Sequence, residues 1–92
     1  MTRYIIVIQF KLGNENDSVN LEKILSSNFK TQKLTDRSYI ILSANTTVDI
    51  RNYLINNVPS IDQIFIGELG VSAAWKSLYS SSDDIKKMYE DE

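Results

Sequence analysis

The longest apolar stretch of the chain lies at its start, where residues 3–10 read Arg-Tyr-Ile-Ile-Val-Ile-Gln-Phe. β-Branched and aromatic residues at this density favour a β-strand. Because side chains alternate along a strand, the even-numbered residues from Tyr4 to Phe10 would share one face, while Ile5 and Val7 would share the other. Apolar residues on both faces predict a strand in the middle of a sheet, covered on both sides.

Three further segments have strand character. They are residues 29–34, 39–44 and 61–69. The segment 39–44 is nearly as apolar as the first strand, so we expect it to be central as well, and a short turn joins it to 29–34 as a hairpin. The segment 29–34 is mostly polar, and Lys30 and Lys33 are of the kind that discourages pairing at a sheet edge. We therefore place 29–34 at an edge.

Two segments have the spacing of amphipathic helices. In residues 19–28, apolar side chains recur at i, i+3 and i+4 from Leu21 and predict one buried side. The second helix has an N-cap signal at Thr46, with Asp49 three residues later, and it should stop before Pro59. Both helices are short, so tertiary packing must stabilise them.

The predicted order of elements is β-α-β-β-α-β, which is typical of the ferredoxin-like fold, an α+β architecture. Right-handed crossovers would give the strand order 4-1-3-2 in a four-stranded antiparallel sheet, with both helices on one face. We assign residues 1–79 to this domain, with Trp75 and its neighbours at helix-compatible spacing near its end. Residues 80–92 form an acidic C-terminal tail whose short helix would open at 80–84.

The sheet face opposite the helices is too apolar to lie open to water. The first and third strands alternate badly, and in a monomer they would expose several Ile, Leu or Tyr side chains. Monomeric proteins rarely expose an apolar patch larger than a few hundred Å². We therefore predict either a homodimer through this face or the C-terminal appendage folded over it.

The composition of the chain narrows the kinds of catalysis and binding that it can support. Neither Cys nor His occurs, which excludes disulfides, thiolate and histidine catalysis, and ordinary zinc sites. The formal net charge of −2 gives no long-range attraction toward nucleic acid. The first strand begins almost at Met1, and its apolar run is too short to cross a bilayer. We therefore expect no signal peptide, no membrane partner and a cytoplasmic location.

Polar residues that would carry chemistry are predicted at one end of the sheet, where the first strand ends and the third and fourth begin. They are Gln9, Lys11, Asp36, Arg37, Ser38 and Asp62. One interpretation is a phosphate site formed by Lys11 and Arg37, with a carboxylate available for a divalent cation. The other is a solvated loop cluster with a surface ion pair, which the low specificity of such charges favours.

Two other features also have two interpretations. Glu68 is either a buried functional carboxylate or, as an edge position favours, an exposed side chain. Trp75 and the tyrosines either stack nucleic-acid bases or, as helical spacing favours, pack against the rest of the domain.

Three segments carry a family resemblance. They are residues 4–10, residues 36–41 (Asp-Arg-Ser-Tyr-Ile-Ile) and residues 68–75 (Glu-Leu-Gly-Val-Ser-Ala-Ala-Trp). Together they resemble the small SinR-like proteins, relatives of the CRISPR-associated adaptation endoribonuclease family. The resemblance implies a ferredoxin-like homodimer with a metal-binding Asp at the end of the first strand. The matching position here is Gln9, while Ser38 is similar to the family's Ser at the start of the third strand.

The amide at Gln9 changes the expected chemistry. A neutral amide does not supply the charge by which carboxylates hold Mg²⁺ in proteins. Metal-dependent cleavage of phosphodiesters is therefore expected to be absent, or moved to Asp36 or Asp62.

Three hypotheses follow from the sequence. The leading one is a non-catalytic homodimeric module without a cofactor, which binds a protein or nucleic-acid partner through Gln9, Lys11, Arg37 and Ser38. The alternative is a Mg²⁺-dependent nuclease whose metal site is degenerate or has moved to Asp36 and Asp62. The third is a small-ligand regulatory domain, for which the sequence offers no recognisable pocket.

Overall fold

The computed structural model describes residues 1–70 and 82–90 as four strands and three α-helices. The strands are β1 (Thr2–Phe10), β2 (Lys30–Thr35), β3 (Ser38–Ser43) and β4 (Ile61–Glu68). The helices are α1 (Ser18–Asn28), α2 (Thr47–Asn57) and α3 (Ser82–Glu90), with a short 3-10 helix at Glu15–Asp17 ahead of α1. The predicted β-α-β-β-α-β order, followed by a short C-terminal helix, is confirmed.

The four strands form one antiparallel sheet in the order β2-β3-β1-β4. β1 lies between β3, where Ile5 faces Ile40, and β4, where Ile5 faces Gly67. β2 and β4 are the edges of this sheet. The predicted strand order is therefore confirmed, and it is compatible with a ferredoxin-like fold.

The main core lies between the sheet and the helices α1 and α2. Its buried residues come from both layers and are Tyr4, Ile6, Ile8, Phe10, Leu21, Leu25, Tyr39, Ile41, Ile50, Leu54, Val58 and Ile61. The even-numbered residues of β1 all belong to this set, as their alternation predicts. Each helix contributes few side chains, so the sheet face is what holds α1 and α2 in place.

The start of α2 is fixed by a side-chain cap. Thr46 Oγ1 accepts a hydrogen bond from the backbone N–H of Asp49 at 3.1 Å. This bond satisfies one of the N–H groups that the first turn of a helix leaves without a partner. The predicted N-cap is confirmed, and the helix ends at Asn57, two residues before Pro59.

Helix α3 covers part of the sheet face opposite α1 and α2, which we call the helix-free face. Met88 of α3 is buried against Ile40 and Leu42 of β3, and Leu34 and Leu69 pack around this second cluster. The predicted folding of the appendage over this face is therefore observed on the β3 side. Val7 on this face keeps 43% of its surface exposed in a single copy of the chain. The predicted cover of both faces of the first strand is therefore observed in part, and cover of the rest by a second copy stays a prediction.

Several predictions fall outside the described residues. The packing of Trp75 and its neighbours, the boundary between residues 79 and 80, and the opening of the last helix at 80–81 all lie there. The division into 1–79 and 80–92 therefore remains a prediction, although α3 is described from Ser82. None of the described helices has the length and apolar character needed to cross a membrane.

We predict that Met88→Glu undocks α3 while the sheet stays folded. A carboxylate at a fully buried apolar position cannot be accommodated without a partner. Losing this anchor should cost about 3 kcal/mol, and hydrogen exchange of the amides in 83–90 should accelerate roughly 100-fold. The amides of β1 should keep their protection.

Lys87→Glu is the matched control, because Lys87 is exposed on the same helix. Unchanged exchange of α3 amides in Met88→Glu would contradict the docking described above.

Candidate functional site

The loops that were predicted to converge do meet at one end of the sheet. The N–H of Ile8 donates to the carbonyl of Arg37, and the N–H of Lys11 donates to the carbonyl of Ser60, both at 2.8 Å. Gln9 faces Gln63 across β1 and β4. The end of β1 thus lies between the β2–β3 turn and the start of β4.

The predicted binding residues nevertheless lie on different sides of the sheet. Ser38 pairs with Val7, and Gln9 follows Val7 by two residues, so both belong to the helix-free face. The Arg37 guanidinium lies 5.5 Å from the centre of the Phe10 ring, which is buried in the core under the helices. At the end of β1, Gln9 and Ser38 therefore lie on one side of the sheet, and the charge of Arg37 lies on the other.

The two carboxylates of the metal hypothesis lie on opposite sides of β1. Asp36 belongs to the turn before β3, whereas Asp62 lies in β4 where the pairing with β1 is irregular. Strands β3 and β4 flank β1, so their backbones are about 10 Å apart. Within residues 1–70 and 82–90, no group of three or more acidic residues is placed to hold a metal ion.

A partly buried polar network that the sequence did not reveal joins α1 to the β2–β3 hairpin. Glu22 Oε2 accepts hydrogen bonds from Tyr39 Oη at 3.1 Å and from Lys33 Nζ at 3.2 Å. Burial, and then the Glu22 carboxylate beside it, raise the pKa of the Tyr39 phenol above its usual range. The phenol therefore stays protonated and acts as a structural hydrogen-bond donor. The hairpin that the sequence predicts offers a signal for this network. Lys33 pairs with Tyr39 in it, which places both side chains on the α1 side of the sheet.

Arg3 is a second residue that sequence reasoning missed. Only 3% of its surface is exposed, and its Nη2 donates to the carbonyl of Gly70 at 2.8 Å. Arginine is rarely buried without such partners, and nothing in the sequence marks this one as an exception. The contact ties the start of β1 to the chain just after β4.

The helix-free face keeps an apolar strip beside β4 that α3 does not cover. It consists of Ile5, Val7, Phe65 and Gly67, and we call it the Phe65 strip. Phe65 faces Val7 across the strands and is 64% exposed. A Cβ atom on Gly67 would lie 2.9 Å from Phe65 Cε1 and 3.7 Å from Ile5 Cγ2. The missing side chain thus lets the Phe65 ring lie down along the sheet.

The outer edge of β4 borders a groove on the helix side of the sheet. Its lining consists of Thr47, Val48, Arg51, Ile64, Phe65 and Ile66, around a cavity of about 180 Å³. Glu68 is exposed at this edge, which confirms the prediction for that residue. Val48 and Ile55, seven residues apart, lie on the outward side of α2 with 50% and 38% of their surfaces exposed. The exposed polar residues Arg51 and Asn52 lie between them.

A second cavity, of about 370 Å³, lies where α1 ends and α2 begins. The rings of Phe29 and Tyr53 meet edge to face in its wall, with their centres 6.4 Å apart. The rest of its lining is Ile50 and the polar residues Asn28, Asn45 and Asp49. The side chain of Asn28 already bonds within its own helix. This surface lies on the opposite side of the sheet from the Phe65 strip.

No protein-family model matches the chain, and no curated protein matches it.

We predict that stability falls as the pH rises above about 10, and that Tyr39 accounts for part of this fall. The pKa of the folded-state phenol lies above its unfolded value, so only the unfolded chain gains by losing the proton. Tyr39→Phe should therefore show a shallower decline in the urea midpoint between about pH 8 and about pH 11, while losing about 1 kcal/mol at the lower pH.

Tyr53→Phe serves as the control, because Tyr53 is exposed on α2. A decline in Tyr39→Phe as steep as that of the wild type would show that the buried phenol does not couple to folding.

Proposed function

We propose that this chain is a non-catalytic, homodimeric ferredoxin-like module that acts by binding protein, in the first place a second copy of itself. The observation that carries the proposal is the Phe65 strip, which leaves a large aromatic ring exposed beside Val7 on a sheet face that α3 covers only on the β3 side. Aromatic residues surrounded by polar ones are typical of the centre of protein interfaces.

The surroundings of the strip fit an interface of ordinary size. Gln9 and Gln63 lie at one end of the strip, both exposed, and form a polar rim. A stable interface buries about 800 Å² on each partner, so the strip would be its centre and not its whole area. Burying apolar surface contributes roughly 25 cal/mol per Å², which makes Phe65 the largest single contributor.

A protein partner fits this surface better than a nucleic acid. Binding of single strands relies on aromatic platforms and a positively charged groove. Among the described residues of the helix-free face, Phe65 is the single aromatic side chain, and its neighbours Ile5, Val7 and Ile40 are aliphatic, with Ile40 covered by Met88. The formal net charge of −2 supplies no general attraction for phosphates.

The kinship with the SinR-like relatives of the CRISPR-associated endoribonucleases is part of this proposal. It is supported by the order of elements and by Ser38 as the first residue of β3. The nuclease alternative has less support. Gln9 is neutral, and a metal ion shared by Asp36 and Asp62 would have to be held across β1.

We predict that the wild-type chain is a dimer and that Phe65→Ser dissociates it. Replacing the exposed ring removes the centre of the interface and should weaken association on the order of 30-fold or more. Light scattering coupled to size exclusion, over a series of concentrations, gives the mass directly. Folding should be unaffected, since Phe65 is mostly outside the core.

Leu12→Ser is the matched control, because Leu12 is the most exposed of the large apolar residues described and lies in the loop before α1. A wild-type chain that stays monomeric at all concentrations would refute the proposal. So would a Phe65→Ser variant that dimerises as tightly as the control.

A further inference from the structure

We infer that two copies of this chain pair through the outer edges of their β4 strands, with Phe65 of one copy opposite Phe65 of the other. This inference rests on the proposed homodimer and specifies its geometry. Two four-stranded sheets would join into one continuous sheet around a two-fold axis at Phe65.

The backbone of β4 presents its hydrogen-bonding groups at the required positions. The N–H of Leu69 donates to the carbonyl of Arg3 at 2.9 Å, so this odd-numbered residue of β4 bonds inward to β1. Bonding direction alternates along an antiparallel strand, and the register is regular from Gln63 to Glu68. The N–H and C=O groups of Ile64 and Ile66 therefore point outward. In the described part of the chain, no strand pairs with that edge.

Symmetry and side-chain placement select one register. A two-fold axis normal to the sheet allows only pairings in which a residue faces itself on the axis. With Phe65 on the axis, Ile64 of one copy exchanges both hydrogen bonds with Ile66 of the other. Phe65 then occupies a non-hydrogen-bonded pair, where opposing side chains approach most closely. A shift by one pair would place the exposed ring opposite Gly67 or Gln63 instead.

Apolar groups on the helix-free side of the sheet favour the same joint. On the helix-free side, the two Phe65 rings would meet with Val7 of each copy beside them. On the helix side, the groove along β4 is lined by Val48, Ile64 and Ile66 together with Thr47 and Arg51, so this side of the joint is mixed in polarity. The apolar surface that flanks the β4 edge therefore lies on the helix-free side.

Unfavourable contacts and an irregular backbone limit the β4–β4 pairing at its two ends. Beyond Gly67, Glu68 of one copy would face Asp62 of the other, and like charges opposite each other destabilise a strand pair. The bend in β4 at Asp62 ends the regular ladder at the same point. The joint therefore covers the residues from Gln63 to Gly67.

Cysteine cross-linking tests this geometry cleanly, because the chain contains no Cys. Phe65→Cys should weaken association as Phe65→Ser does, so the oxidation is run at a protein concentration about 100-fold above the wild-type dissociation constant. There it should form a disulfide-linked dimer, since the two Cα atoms at a non-hydrogen-bonded pair lie about 4.5 Å apart. Val7→Cys should not, because three strand spacings would separate the two sites by about 14 Å. Leu12→Cys measures the rate of cross-linking by random collision. We expect Phe65→Cys to react on the order of ten times faster than either control.

A charge variant that keeps Phe65 gives an independent readout. Glu68→Lys would place a cation opposite Asp62 at both ends of the joint, and it should lower the dimer dissociation constant about tenfold. Equal cross-linking rates for Phe65→Cys and Leu12→Cys, or an unchanged dissociation constant in Glu68→Lys, would overturn the edge pairing. A wild-type chain that is monomeric would instead refute the proposed function itself.

Discussion

The pairing of β1 on both of its edges is the constraint on which the rest of the molecule depends. Because β3 and β4 bond to opposite sides of β1, the chain must cross the sheet twice, and both crossover helices lie on the same face. The even-numbered residues of β1 fill the core under those helices. Its odd-numbered residues must then lie on the other face, which the two crossover helices do not cover.

The second face is covered unevenly, so its β3 half and its β4 half present different surfaces. Met88 of α3 reaches Ile40 and Leu42 on β3, while Val7 and Phe65 remain exposed toward β4. The outer side of α3 carries exposed charges at Asp83, Asp84, Lys86 and Lys87. One half of the face is thus closed by the chain's own helix and made polar. Among the residues that the structure describes on this face, those beside β4 are the ones that offer apolar surface to another molecule.

The sequence predicted the fold well because each element carried its own local signal. The positions and order of the elements followed from local signals, namely the strand character of β1 and β3, the Thr46 cap and the lysines of β2. The candidate site was less predictable. Residue spacing put Gln9 and Arg37 at the same end of the sheet, but it could not tell that the Arg37 side chain crosses to the Phe10 ring. The exposure of Phe65 depends on how far α3 reaches, which no local pattern encodes.

The two edges of the sheet differ in a way that favours a closed dimer over a fibre. β2 carries Lys30 and Lys33, and Lys33 is held by Glu22 of α1, so charged side chains occupy this edge. In its central part, from Ile64 to Gly67, β4 carries no charge. The proposed dimer, which uses only β4 and a two-fold axis, would consume the edge that is uncharged in its centre in each copy. The lysine-bearing β2 edges would then lie at both ends of the joined sheet, which disfavours further growth.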